Sequence, residues 1–177
     1  MIFTPLELSG AFAIDVDPRR DERGLFARTY CDEEFRAHGI DAPFRQCSVS
    51  FNERRGTLRG MHFQAQPHAE DKLVRCTAGA VFDVIVDLRA GSPTLRRWSG
   101  TELSAANRRA LFVPRGFAHG FLSLTDGAEV LYMISVPHAA HFSRGFKWDD
   151  PAVGIDWPFA PAVIGDRDAR LPSLADG

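Results

Sequence analysis

The chain is poor in cysteine: three in 177 residues, Cys31, Cys47 and Cys76, with no CxxC spacing among them. An odd, unspaced set gives no case for a disulfide framework. With Cys76 in apolar surroundings, the three read as reduced, buried thiols of a cytoplasmic protein. Charge of one sign is also lacking. The formal net charge is −2 and no stretch is a dense basic run, which gives no electrostatic case for nucleic acid. No apolar run approaches membrane-spanning length. The opening MIFTPLELSG has no basic region, long apolar core or small-residue cleavage site, so no signal peptide is expected. Internal repeats, low-complexity segments and linkers are absent, and only DEEFRAHG (32–39) has a helical pattern, with Asp32 as expected N-cap and Gly39 as stop.

What the chain does have is hydrophobic residues (45%) and aromatics (11%), enough for one packed globular domain over 1–177. The dominant period is two. In VFDVIVDL (81–88), Val81, Asp83, Ile85 and Asp87 alternate with Phe82, Val84, Val86 and Leu88. One face is mixed acidic and apolar, and the other is wholly apolar. That predicts a strand with its first face toward a mixed or functional space and its second in a core. Further strands are expected at 11–17, 24–30, 44–51, 57–64, 72–79, 101–107, 120–125 and 129–135. Gly, Pro, Asp and Asn clusters separate them. The tail 151–177 reads as mostly loop with at most one short helical turn. Many short strands and almost no helix predict an all-β sandwich or barrel.

Two stretches carry candidate chemistry. In RGMHFQ (59–64), alternation puts His62 and Gln64 on one face with Gly60 beside them. Arg59 belongs to the other face, unless the strand bulges at Gly60. In FVPRGFAHGF (112–121), a turn delivers His119 at a strand start. Lys72, at the mouth of an apolar strand, needs an anionic partner if buried. Tyr132 is one of two tyrosines against fourteen phenylalanines, which suggests a use for its hydroxyl. From the residues alone, each histidine could equally be structural, Asp83 and Asp87 could be hydrogen-bonded polar positions, and His138 and His141 read as loop surface. A metal centre is the rival reading. It would need an HxH pair, but here the pair is His62 and Gln64, and glutamine is a poor ligand beside imidazole and carboxylate. Glu70 falls in a polar loop, so neither metal nor cofactor is expected.

Taken together, DERGLF (21–26), GTLRGMHFQ (56–64), KLVRC (72–76), VFDVIVDLR (81–89), LSAANRRALFVPRGFAHGF (103–121), LY (131–132), WDDPAVGIDWP (148–158) and the DRD containing Asp168 make the chain similar to the dTDP-4-dehydrorhamnose 3,5-epimerase family, a metal-free branch of the cupins. The resemblance covers most of the chain. It implies a cupin-like jelly roll and a homodimer that exchanges the N-terminal strands within 1–30. It also implies an isomerase acting on a nucleoside-diphosphate 4-keto-6-deoxy hexose. The C4 ketone makes the C3 and C5 hydrogens acidic. A neutral histidine can then remove either one, if a carboxylate holds its far nitrogen. Inversion needs a proton returned to the opposite face, and the enolate oxygen needs a cation or donor.

By resemblance His62 is the base and Asp168 its partner, with Asp83 the alternative partner. Tyr132 is the acid and Lys72 steadies the enolate oxygen. Arg59, His119 and Arg23, the last from the exchanged segment, would hold the sugar diphosphate. Gln46 would line the pocket and His138 would stack on the base. The chain departs from the common pattern at Arg28, Cys47, Ser48, His138 and Ser143, all on the nucleotide side. Three other readings stay open: inversion at C3 only or C5 only on a different nucleotide sugar, a non-catalytic sugar-nucleotide-binding cupin, and a metal-dependent cupin.

Overall fold

The computed structural model describes residues 1–174. Its strands are β1 (Ile2–Pro5), β2 (Phe12–Asp15), β3 (Arg19–Asp21), β4 (Gly24–Phe26), β5 (Gln46–Asn52), β6 (Thr57–Gln64), β7 (Lys72–Ala78), β8 (Ala80–Asp87), β9 (Trp98–Ser104), β10 (Ala110–Val113), β11 (Phe117–Ser123), β12 (Ala128–Ile134), β13 (Ser143–Gly145) and β14 (Val163–Ile164). Two short helices, α1 (Asp32–Ala37) and α2 (Asp166–Ala169), complete the elements used below. One sheet runs β1-β2-β10-β7-β12-β5 and the other β13-β6-β11-β8-β9, with β14 beside β6. This is the expected all-β, jelly-roll-like sandwich.

Alternation decides which side chains meet. Val74, Cys76, Val81, Ile85, Leu111, Phe121 and Val130 pack between the sheets. On β8 the other set, Val84 and Val86, packs outward with Met61, Phe146, Ile155 and Trp157. So the tail is irregular in backbone yet serves as a cover for the second sheet, and its last part supplies β14 and α2. The outer face of the first sheet is covered by α1, whose Phe35 packs with Leu73 and Phe112. Burying that one ring contributes about 2–3 kcal/mol. β11, central between β6 and β8, is buried over all seven residues, as a strand covered on both faces must be.

Several local expectations need correction. Helix α1 is capped by Cys31 with no side-chain cap bond, and Asp32 is its first residue rather than the cap. Gly39 does end it, at φ +76°. Only Cys76 is a buried thiol; Cys47 is exposed. Strands β1, β3, β10, β13 and β14 lie outside the expected spans. β1 pairs with β2, and β2 with the chain's own β10, whereas β3 and β4 pair only with each other, leaving Phe26 77% exposed. No helix among the described residues is long and apolar enough to cross a membrane.

Candidate active site

Between the sheets lies a cavity of about 640 Å3. The first sheet sends in Gln46, Ser48 and Ser50 from β5, Lys72 from β7 and Tyr132 from β12. The second sends in Arg59 and His62 from β6 and His119 from β11, and α2 adds Asp168. Arg59 and His62 are three apart, so a regular strand would put them on opposite faces. The register resolves this. His62 faces His119 and Arg59 faces Phe121, so three steps along β6 match two along β11. The extra residue is a bulge, and it turns both side chains into the cavity. Gly60 permits it: a Cβ there would stand 2.6 Å from the Gly120 Cα, and its φ is +122°.

The bulge also frees the Gly60 amide to donate to Asp168 Oδ2 at 3.0 Å, while the other carboxylate oxygen meets His62 Nε2 at 2.7 Å. Burial opposes the Asp168 charge, but the bonds from His62 and the Gly60 amide prevail and hold the carboxyl below the ordinary aspartate value. Asp168 is therefore ionised near neutrality and can only accept. Nε2 of His62 carries the hydrogen, so in the neutral ring the lone pair lies on Nδ1. The His62 side chain is 32% exposed, so the ring is open to the cavity.

A second histidine–carboxylate pair lies deeper. His119 Nε2 meets both oxygens of Asp83, at 2.9 and 3.0 Å, with side chains 5% and 0% exposed. Burial raises Asp83, against the pull of His119 and Lys72. Tyr132 packs edge-on to the His119 ring, centroids 5.9 Å apart. Burial, and next the Asp83 charge, push the Tyr132 phenol well above its ordinary value, with Arg59 opposing. Its hydroxyl has no hydrogen-bond partner among the described residues, so it holds a proton free for another acceptor. Lys72 Nζ stands 2.9 Å from Glu70, the anionic partner its burial requires. A base with a fixed tautomer, a protonated phenol and an ammonium thus share one cavity. That set can remove and return a proton beside a carbonyl.

Comparison with known proteins agrees. The family profile of dTDP-4-dehydrorhamnose 3,5-epimerase matches residues 5–176. The chain belongs to this family. A dTDP-4-dehydrorhamnose 3,5-epimerase of Methanothermobacter thermautotrophicus is 44% identical, over 98% of this chain and 95% of that one. A crystal structure of the Bacillus anthracis dTDP-4-dehydrorhamnose 3,5-epimerase with TDP and PPi bound superposes with TM-score 0.95 at 38% identity, covering 98% of this chain and 99% of that one. A 3'-monoepimerase from Streptomyces bikiniensis, in complex with dTDP-quinovose, superposes with TM-score 0.89 at 36% identity, covering 97% and 87%. The family is one of isomerases.

Most of the residues drawn from the family pattern meet in the cavity: His62, Asp168, Tyr132, Lys72, Arg59, His119, Gln46 and His138 all line it or bond to its walls. His138 is exposed at the mouth, its backbone N–H held by Gln46 Oε1 at 3.1 Å, so loop surface and cavity rim are both true of it. Asp83 is not the partner of His62, because its carboxylate is taken by His119 from the next strand. Arg23 lies outside this cavity. It sits on the β3–β4 hairpin, paired with Asp21 and 82% exposed. Arg28 pairs with Glu34 at 2.7 Å on α1. Ser143 accepts a bond from Arg167 at 2.7 Å at the cavity edge. Arg167 and Ser50 also line the cavity, and no sequence expectation covers them. Arg167 stands beside Asp168 in the DRD motif, and that adjacency is the available signal. Glu70, weighed from the sequence only as a metal ligand in a polar loop, lines the cavity as the ion-pair partner of Lys72.

Proposed function

We propose that the protein epimerises C3 and C5 of a dTDP-linked 4-keto-6-deoxy hexose, converting dTDP-4-dehydro-6-deoxy-D-glucose to dTDP-4-dehydro-L-rhamnose without a cofactor, in the biosynthesis of dTDP-rhamnose. The observation that carries this is the His62–Asp168 pair opening, with its free Nδ1, into the cavity that also holds Tyr132 and Lys72. His62 takes the proton from the carbon next to the C4 ketone, and Asp168 stabilises the imidazolium formed. The electron pair moves into the C4 oxygen, which Lys72 steadies as an enolate. Tyr132 returns a proton to the opposite face and is reprotonated from solvent, His62 releases its proton to solvent, and a second round inverts the other carbon. Arg59, His119 and Gln46 hold the diphosphate and sugar, and His138 packs on the base. The single domain works as a cytoplasmic homodimer. The β3–β4 hairpin, unpaired with either sheet of its own chain, carries Arg23 toward a second copy.

Deuterium uptake from heavy water, read separately at C3 and C5, tests the reaction. Uptake at both carbons, with net inversion, is expected. Uptake at neither carbon, with binding intact, would leave the non-catalytic sugar-nucleotide reading standing. Inversion at C3 alone is the second reading. It is favoured by the likeness to the Streptomyces 3'-monoepimerase, whose fold is the same, and exchange confined to C3 would establish it.

A further inference from the structure

The steps above leave Glu70 and Gln64 without a part, although both line the cavity. One Glu70 oxygen stands 2.9 Å from Lys72 Nζ, with side chains 10% and 11% exposed. The other accepts from Gln64 Nε2 at 2.6 Å. That same amide donates to the His68 carbonyl at 3.1 Å, and its oxygen accepts from the Ala139 N–H at 2.6 Å. Gln64 is thus fixed by backbone groups from two separate segments. The Glu70 carboxylate, pinned by Gln64, cannot swing. A lysine is a point charge on four rotatable bonds and loses much freedom when held in one place. Glu70 is the only carboxylate within ion-pair distance of its ammonium among the described residues. The contact is an ion pair, and the ammonium keeps N–H groups for the cavity.

We infer that Glu70 is a positioning residue for the reaction. Its Gln64-anchored carboxylate fixes the Lys72 ammonium so that a free N–H meets the substrate's C4 oxygen. This rests on the role proposed for Lys72. A loop pin alone would need only the Gln64 bonds to His68 and Ala139. The Lys72–Glu70 ion pair is no part of that pin: it balances the buried ammonium and sets where that ammonium stands in the cavity.

The chain has two lysines, Lys72 and Lys147, so a 15N spectrum of side-chain ammonium groups holds at most two signals, assigned with Lys147→Arg. In Glu70→Ala the Lys72 signal should broaden beyond detection. kcat should fall about ten- to hundredfold, with KM within about threefold. Glu70→Gln has one carbonyl oxygen for two donors, the Lys72 ammonium and the Gln64 amide. Its signal and rate should fall between those of wild type and Glu70→Ala. Glu70→Ala keeping its rate, or losing rate with the Lys72 signal unchanged, would overturn the inference. If the wild-type protein exchanges no proton on any 4-keto sugar, the functional reading falls. The ammonium signal alone then decides the Glu70 contact: loss in Glu70→Ala upholds it and retention overturns it.

Discussion

His62 and His119 face each other across β6 and β11, and each is bonded to an aspartate, yet their surroundings differ. The His62 side chain is 32% exposed, and its carboxylate comes from α2, more than a hundred residues away. The His119–Asp83 pair is closed off at 5% and 0% exposure, on two adjacent strands of one sheet. The first pair leaves a ring nitrogen open to the cavity and holds its carboxylate ionised. The second has its carboxyl raised by burial, with the Tyr132 ring edge-on beside it. The same two residue types thus make a half-open pair in one place and a buried one in the other. Both rings border the cavity, and the depth of burial, rather than the pairing itself, separates them.

The sharpest way to break this comparison is His62→Ala. Exchange at both carbons should fall by about 10^3-fold or more, while the unfolding midpoint changes little because the ring is partly open. A residual exchange near wild type would move the base elsewhere. Next is Tyr132→Phe. Net inversion should fall at least about a hundredfold, with some solvent exchange kept, since proton removal precedes proton return. Equal turnover by mutant and wild type would take the acid role from Tyr132.

Asp83→Ala probes the closed pair. It leaves a buried imidazole N–H unmet and should cost about 2–4 kcal/mol in urea unfolding. The corresponding loss in Asp168→Ala should be smaller, because water can reach His62. Equal losses would erase the distinction between the two pairs.

The smallest effect is on pH dependence, and its sign differs between the two carboxyls. Asp168 is depressed in the fold, so the stability it contributes is present above the unfolded aspartate value, about 3.9, and is lost as pH falls through the folded one. Asp83 is raised, so its contribution has the opposite sign and is lost as pH rises through the raised value. Unfolding of Asp168→Asn at pH 7 and pH 3 should show a deficit against wild type that shrinks at the lower pH. A deficit that grows at pH 3 would contradict the arrangement.

Much of the fold was legible. β6 matches the stretch 57–64 residue for residue, with the Arg55-Gly56 turn marking its start. β1, β3 and β10 are three or four residues long, too short for a period of two to stand out. The tail reads as loop because its backbone is irregular. Its role as cover depends on Val153, Ile155 and Trp157 meeting Val84 and Val86 from a distant strand.

The sequence by itself determined the sandwich, the residue types of the site and the family. Period-two alternation, turn residues and motif order are local, and each can be read without the rest of the chain. The tertiary structure decided between Asp168 and Asp83 as the partner of His62, made the bulge at Gly60 that brings Arg59 to the same side as His62, and set Glu70 beside Lys72. Each of these is set by strand register or by contact between segments remote in the chain. Moving a register by one residue reverses every face, and no local pattern records it.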